Sequence, residues 1–151
     1  EIRKTLQKLN LNEMLAKDST GLYEVTVTEK AAAGVGYVYG NNETAPYYTD
    51  RVSLQPHDFA TLVIGDSMEP VYKDGDVALI KSGYDNVNGG IYLIDYDGKS
   101  YIKKLYNDGD RFRLVSINRD YDTIIIEIPP GDSIYFNIIG KVVDSFTPII
   151  K

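Results

Sequence analysis

The sequence contains no cysteine and only one histidine, His57. Without cysteine there is neither a disulfide nor a thiolate nucleophile, and one histidine is a poor basis for a zinc site. A Ser-His-Asp triad would have to use His57, which stands in "QPHDF" before a predicted strand, where a surface or structural role is favoured. The acidic stretch "DGD" at 74–76 lacks the ligand spacing of a calcium loop and predicts a turn. We therefore expect neither a metal nor a cofactor.

Long hydrophobic runs and an excess of positive charge are also missing. No apolar run approaches the roughly 18 residues that span a bilayer, and the start "EIRKTLQKLNLNEM" lacks the apolar core of a signal peptide. These absences predict a cytoplasmic protein without a membrane anchor. The net charge of −6 disfavours direct binding to nucleic acid, because phosphate contacts need clustered lysine and arginine.

The apolar residues that are present predict one mostly β domain behind a short helix. Residues 2–16 repeat apolar positions at a helical period, so residues 1–22 are expected to form a helical linker or arm. Residues 23–151 change to short β-type runs, which favour a compact barrel-like or sandwich fold. The run "GGIYLIDYDGKSYIKKLY" predicts a hairpin that turns at Asp97-Gly98. The other predicted strands are "YEVTV", "VGYVYG", "RVSLQ", "FATLVIG", "DVALIKS", "RFRLVSI", "TIIIEI" and "IYFNIIGKVVDSF".

A serine without a histidine partner stands between two of these strands, in "VIGDSMEPVYKDGDVALIK" at residues 63–81. The hydroxyl of Ser67 is a weak nucleophile unless a base removes its proton, and a buried neutral lysine can act as that base. The hairpin offers Lys103 and Lys104 in "SYIKKLY". Adjacent strand residues point to opposite faces, so one lysine can reach the interior, but periodicity does not decide which one.

These motifs resemble those of the Ser-Lys peptidase domain of LexA and the lambda-type phage repressors. "GDSMEPVYKDGD" is similar to the family's nucleophile box, and "YIKKL" is similar to its lysine box, in which the first lysine, here Lys103, is catalytic. "EKAAAGVGYVYG" contains Ala33-Gly34 about 33 residues before Ser67, where such repressors cut themselves at an Ala-Gly bond. The neighbouring Ala31 and Ala32 fall in the same small-residue stretch.

Two further stretches extend the resemblance over roughly residues 30–145. "LVSINRDYDTIII" resembles the family's Leu-x-Pro-x-Asn-x-x-Tyr region, and "IIGKVV" resembles its closing strand. Ser116 and Arg119 stand where many relatives have proline. This departure is expected to be mild and to involve no catalytic position.

The resemblance implies a mostly β LexA-type fold and a self-cleaving serine peptidase. Lys103 would activate Ser67 to attack Ala33, and the backbone N–H groups of Asp66 and Ser67 would hold the oxyanion. It also implies a homodimer or a higher assembly, and induction by an activated RecA filament or an antirepressor protein. Operator DNA would be bound only by a head outside this chain, to which residues 1–22 would be the linker.

Two other functions remain open at this stage. Type I signal peptidases share "SMEP", the following "GD" and a similar lysine box, but they need a membrane anchor and an apolar docking surface. "AAAG" and "INRDY" favour the repressor domain over the signal peptidase. A non-cleaving dimerisation module is the second alternative, although Ser67, Lys103 and Ala33-Gly34 are all retained.

Overall fold

The computed structural model describes residues 20–28 and 43–150. Three sequence-based predictions therefore lie outside the described residues. They are the helix over residues 2–16, the strand "VGYVYG" and the cleavage site Ala33-Gly34.

The described residues form nine strands and no helix, which confirms the prediction of a mostly β fold. All nine strands belong to one sheet. In chain order the strands are β1 (Tyr23–Thr28), β2 (Thr44–Thr49), β3 (Phe59–Leu62), β4 (Val77–Ser82), β5 (Gly90–Tyr96), β6 (Lys99–Asn107), β7 (Arg111–Val115), β8 (Ile124–Glu127) and β9 (Phe136–Phe146).

The strand order across the sheet is β2-β1-β3-β4-β9-β5-β6-β7-β8. The described strands make an open sheet with β2 and β8 at its edges, so hydrogen bonds do not close it into a barrel. Long β9 lies between β4 and β5 and joins the two halves of the sheet. Only the β1–β3 neighbours run parallel; every other pair is antiparallel.

The β5–β6 hairpin turns at Asp97-Gly98, as predicted. Asp97 has φ 47° and Gly98 has φ 88°, and two positive φ values are what a two-residue type I′ turn requires. The turn sets the register, which pairs Tyr96 with Lys99 and Tyr92 with Lys103. The hairpin therefore places Lys103 opposite the most buried part of β5.

One strand assignment from the sequence is wrong, and one strand was missed. "RVSLQ" is irregular, because Arg51 binds both the Asp144 carboxylate (2.7 and 2.9 Å) and the Ser145 carbonyl (2.8 Å) across the fold. β2 is a strand that the pattern missed, because it contains Pro46. A proline, which cannot donate to a ladder, is tolerated at a sheet edge, and β2 is an edge strand.

Three clusters of buried apolar side chains make the core. The middle cluster lies beside the loop that carries Ser67, since Val63 at the start of that loop belongs to it. The third cluster consists of side chains from β5 to β8 and includes a residue of β6, the strand that carries Lys103. The clusters are Val27, Ala60, Val77, Leu79 and Phe146; Val63, Ala78, Ile80, Leu93 and Val142; and Tyr92, Ile94, Leu105, Leu114 and Ile126.

Candidate active site

The loop between β3 and β4, residues 63–76, carries Ser67 and is here called the nucleophile loop. Its two ends are pinned together, because Val63 N donates to Asp76 O and Gly75 N donates to Val63 O, both at 2.8 Å. Asp74 accepts a hydrogen bond from Gly65 N at 2.7 Å. The predicted turn at "DGD" is therefore present, and it uses the positive φ of Gly75, 86°. The acidic stretch serves the backbone of the loop.

Ser67 stands in a tight turn inside the nucleophile loop and is half-buried. Met68, the next residue, is only 1% exposed and anchors the turn in the protein interior. Its carbonyl accepts a hydrogen bond from Tyr72 N at 2.9 Å. A buried anchor next to a partly exposed hydroxyl keeps that hydroxyl at a fixed position on the surface.

Lys103, on β6, brings its side chain to Ser67. Its Nζ lies 2.7 Å from Ser67 Oγ and donates a hydrogen bond to it. Lys103 is 6% exposed, whereas Lys104 points to the other face and is half-buried. The structure thus brings together Ser67 and the first lysine of the pair, across 36 residues of sequence.

The surroundings of Lys103 favour the neutral amine. Burial lowers the pKa of its ammonium group, because desolvation penalises the charged form. Within the described part of the chain, no carboxylate lies within 4.0 Å of Lys103 Nζ to restore the charge. The nearest ring faces are those of Tyr121 and Tyr101, with Nζ at 5.4 and 5.9 Å from their centroids. A lysine in this setting is suited to accept a proton.

A second hydroxyl contacts the same lysine. Lys103 Nζ donates to Ser116 Oγ at 2.8 Å, and Ser116 is 8% exposed. From the sequence, Ser116 was expected only to be a mild departure from proline, and its contact with Lys103 was not predicted. A polar residue directly after an apolar strand, in "RLVSI", was the available signal. Without the β6–β7 register, this signal does not show that Ser116 lies opposite Lys103.

The segment after β7 also holds the nucleophile loop from outside. Asn118 N donates to Ser67 O at 2.9 Å, and Asn118 Nδ2 donates to Asp66 O at 3.2 Å. The Tyr121 hydroxyl donates to the Asp66 carboxylate, and this bond raises the pKa of Tyr121. The Asn-x-x-Tyr stretch of the sequence therefore works as a clamp on the two residues Asp66 and Ser67.

The turn at Ser67 also presents two backbone donors, the N–H groups of Asp66 and Ser67. Among the hydrogen bonds of the described residues, neither Asp66 N nor Ser67 N has an acceptor. N–H groups of this kind, next to a nucleophile, can bind the negative oxygen of a tetrahedral intermediate. These are the two N–H groups that the family resemblance implied.

Other chemistry has little support in the described residues. His57 Nδ1 lies 2.8 Å from the Gln55 carbonyl oxygen, in the irregular segment before β3. Within residues 20–28 and 43–150, no cluster of three or more histidine, aspartate or glutamate side chains is arranged to hold a metal. No helix in that part of the chain is long and apolar enough to cross a membrane.

Comparison with known proteins agrees with this site. The sequence profile described as "Peptidase S24-like" matches residues 24–143, which include Ser67, Lys103 and Ser116. The chain belongs to the Peptidase S24-like family. The match covers most of the chain, so the peptidase kind follows from the family.

The relatives of this S24-like chain include bacterial and phage repressors. It is 30% identical over 126 residues to a LexA repressor of Magnetococcus marinus, covering 83% of this chain and 53% of that protein. It is 35% identical over 101 residues to LexA repressor 1 of Geobacter sulfurreducens, covering 66% and 49%. A 60-residue stretch is 43% identical to the repressor protein CI of Enterobacteria phage phi80, covering 38% and 25%. The chain spans about half the length of the LexA relatives.

Proposed function

We propose that this chain is the self-cleaving domain of a transcriptional repressor, with Ser67 as nucleophile and Lys103 as general base. The observation that carries the proposal is the 2.7 Å contact between Lys103 Nζ and Ser67 Oγ. A buried lysine without a carboxylate partner is costly to a fold. Its position against the half-buried Ser67 supports a catalytic role.

The proposed reaction uses groups that the fold holds in place. Neutral Lys103 takes the proton of Ser67 Oγ as the oxygen bonds to the carbonyl carbon of Ala33. The N–H groups of Asp66 and Ser67 stabilise the oxyanion. The Lys103 ammonium then gives its proton to the amine of Gly34, which leaves. Neutral Lys103 next deprotonates a water molecule, which hydrolyses the ester and frees Ser67.

The topology supports Ala33-Gly34 as the bond that is cut. β1 ends at Thr28, which pairs in parallel with Thr61, and Thr61 Oγ1 donates to Thr28 O at 3.1 Å. Six residues lead from Thr61 to Ser67, and six lead from Thr28 to Gly34. An extended chain spans at most about 3.5 Å per residue. Because the two segments start side by side and have equal length, the Ala33-Gly34 bond can reach Ser67 of the same chain.

The repressor context comes from the relatives. Cleavage would separate residues 34–151 from whatever precedes them, and so part a DNA-binding head from this domain. Binding of operator DNA belongs to that head, in keeping with the net charge of −6 here. We propose that the domain forms homodimers that pair two heads on an operator, and that an activated RecA filament or an antirepressor triggers release. The setting would be cytoplasmic.

Fragment masses test the cleavage proposal. Incubating the purified chain at alkaline pH is expected to yield residues 1–33 and 34–151, because more Lys103 is then neutral. Ser67→Ala is expected to abolish both fragments, and Lys104→Ala is the matched control that keeps them.

The same assay separates the two alternatives. A chain that stays intact at alkaline pH and with activated RecA filament contradicts self-cleavage and favours a non-cleaving dimerisation module. Cleavage of added secretory precursors, without cleavage of the chain itself, favours a signal peptidase.

A further inference from the structure

The amine of Lys103 contacts two hydroxyls at nearly equal distance, Ser67 Oγ at 2.7 Å and Ser116 Oγ at 2.8 Å. A neutral amine has two N–H donors and one lone pair. To act as a base towards Ser67, it must aim the lone pair at Ser67 Oγ, so its N–H groups must point elsewhere. Ser116 Oγ can accept one of them.

We propose that Ser116 is a positioning residue, which accepts an N–H of Lys103 and thereby turns the amine's lone pair towards Ser67. This inference rests on the proposed role of Lys103 as the base.

Ser116 is suited to this task because the sheet fixes its position. β6 and β7 pair Lys104 with Val115, and one further step of that antiparallel register puts Ser116 opposite Lys103. Ser116 is 8% exposed, so its hydroxyl is largely shielded from solvent. A buried hydroxyl at the end of a paired strand has little freedom to leave the amine.

The same segment positions the nucleophile as well. Two residues after Ser116, Asn118 N donates to Ser67 O at 2.9 Å. One short stretch of chain therefore touches both the base and the backbone of the nucleophile. Ser116 and Asn118 thus tie the base and the nucleophile to the same segment of chain.

The groups that face Lys103 Nζ leave few other partners for its N–H. They are the rings of Tyr121 and Tyr101 and the two serine hydroxyls. The Asp66 carboxylate is held by the Tyr121 hydroxyl. Ser67 and Ser116 are the only hydrogen-bond partners of Nζ among the described residues, so without Ser116 the amine can rotate.

The decisive variant is Ser116→Ala, studied by the rate of self-cleavage across pH. The rate on the alkaline plateau is expected to fall about ten- to a hundredfold, because a misaimed base loses most of its advantage. The midpoint of the profile is expected to move to lower pH, because the ammonium loses an acceptor that stabilises it more than the neutral amine. A merely structural role for Ser116 would not move the midpoint.

Two controls complete the test. Ser116→Thr keeps a hydroxyl and is expected to restore most of the plateau rate, and Ser133→Ala removes an exposed serine outside the site and is expected to change nothing. Equal plateaus and equal midpoints for Ser116→Ala and the wild type overturn the proposal.

A second readout keeps this result separate from the proposed cleavage. The ¹³Cε resonance of Lys103 reports its titration in the Ser67→Ala background, in which no cleavage occurs. A lower midpoint after adding Ser116→Ala supports the contact, and an unchanged midpoint overturns it. If the wild type never cuts, the cleavage proposal fails, and this titration still decides whether Ser116 acts on Lys103.

Discussion

A buried amine such as that of Lys103 costs folding free energy at neutral pH. Its pKa is lowered by burial, so between that pKa and the ordinary value of 10.5 the unfolded chain binds more protons than the folded one. Stability therefore rises with pH across that window. We expect Lys103→Met to raise the free energy of unfolding by about 1 kcal/mol at pH 7.

Urea unfolding of the wild type and Lys103→Met at pH 7 and pH 10 checks this prediction. The advantage of the methionine variant is expected to shrink at pH 10, where the unfolded lysine begins to lose its proton. A variant that is less stable than the wild type at pH 7 would show that Lys103 contributes to stability instead of limiting it.

Asp95, on β5, is a second buried titratable group. It is 1% exposed, and within the described part of the chain neither carboxylate oxygen has a hydrogen-bond partner. Desolvation raises its pKa above 3.8, so stability is lost as pH rises from about 3.8 through the folded-state value. We expect Asp95→Asn to stabilise the protein by about 1 kcal/mol at pH 7.

The test of Asp95 is the difference in unfolding free energy between Asp95→Asn and the wild type at pH 7 and near pH 3. The gain is expected at pH 7 only, since both forms are neutral at pH 3. An equal difference at the two pH values would locate the effect in packing and contradict the charge argument.

At the residue scale, the sequence indicated the two reacting groups but not the residue that contacts the base. Ser67 lies in a recognisable motif. The hairpin pattern left Lys103 and Lys104 as candidates for the base, and the family resemblance favoured Lys103. Ser116 follows an ordinary apolar run and gave no local signal that it contacts the base. Its contact with Lys103 depends on the register of β6 against β7. The short turn over 108–110 fixes that register, and the sequence pattern did not identify this turn.

At the scale of elements, the segment after β7 acts as a clamp on the nucleophile loop. Asn118 Nδ2 donates to Asp66 O, and Tyr121 donates to the Asp66 side chain. We expect Asn118→Ala to slow self-cleavage about tenfold, because the turn at Ser67 loses one of its fixed contacts. A melting temperature close to that of the wild type would show that the slower cleavage arises in the site and not from a less stable fold. An unaltered cleavage rate would contradict the role of Asn118 in holding the nucleophile loop.

A second element-scale contact holds the irregular segment over 51–55 against β9. Desolvation by itself would raise the pKa of Asp144, but hydrogen bonds from Arg51, Gln55 N and Ser145 N outweigh it and lower the pKa to about 2. A carboxyl with a depressed pKa contributes stability above its unfolded value, about 3.8, and loses it as pH falls towards 2.

We therefore expect Asp144→Asn to destabilise the protein by about 2 kcal/mol at pH 7. Denaturant unfolding measures the loss, and the difference from the wild type is expected to vanish near pH 2. Asp132→Asn, in the exposed connection before β9, is the control. A destabilisation that is the same at pH 2 and pH 7 would contradict the charge-based account.

The elements themselves were predictable where one pattern dominated. In the β5–β6 hairpin, the turn preference of Asp97-Gly98 and the burial of the apolar arms favour the same structure. β2 was not predictable, because Pro46 lowers strand propensity and only its place at the sheet edge makes it acceptable. "RVSLQ" alternates like a strand, yet the Arg51–Asp144 contact across the fold decides its conformation.

At the scale of the whole molecule, the topology is compatible with the proposed cleavage within one chain. The end of β1 and the start of the nucleophile loop lie side by side through Thr28 and Thr61. We expect a first-order rate constant that does not change over a hundredfold dilution, because the substrate is already at a high effective concentration. A rate that falls in proportion to protein concentration would assign cutting to a second chain.

The pH dependence of self-cleavage in Lys103→Ala and Lys104→Ala tests the central claim most directly. For the wild type and Lys104→Ala, we expect the rate to rise about tenfold per pH unit and then reach a plateau once Lys103 is neutral. Lys103→Ala is expected to produce no fragments at any pH. A Lys103→Ala chain that still cuts with the wild-type profile would contradict the assignment of Lys103 as the base for Ser67.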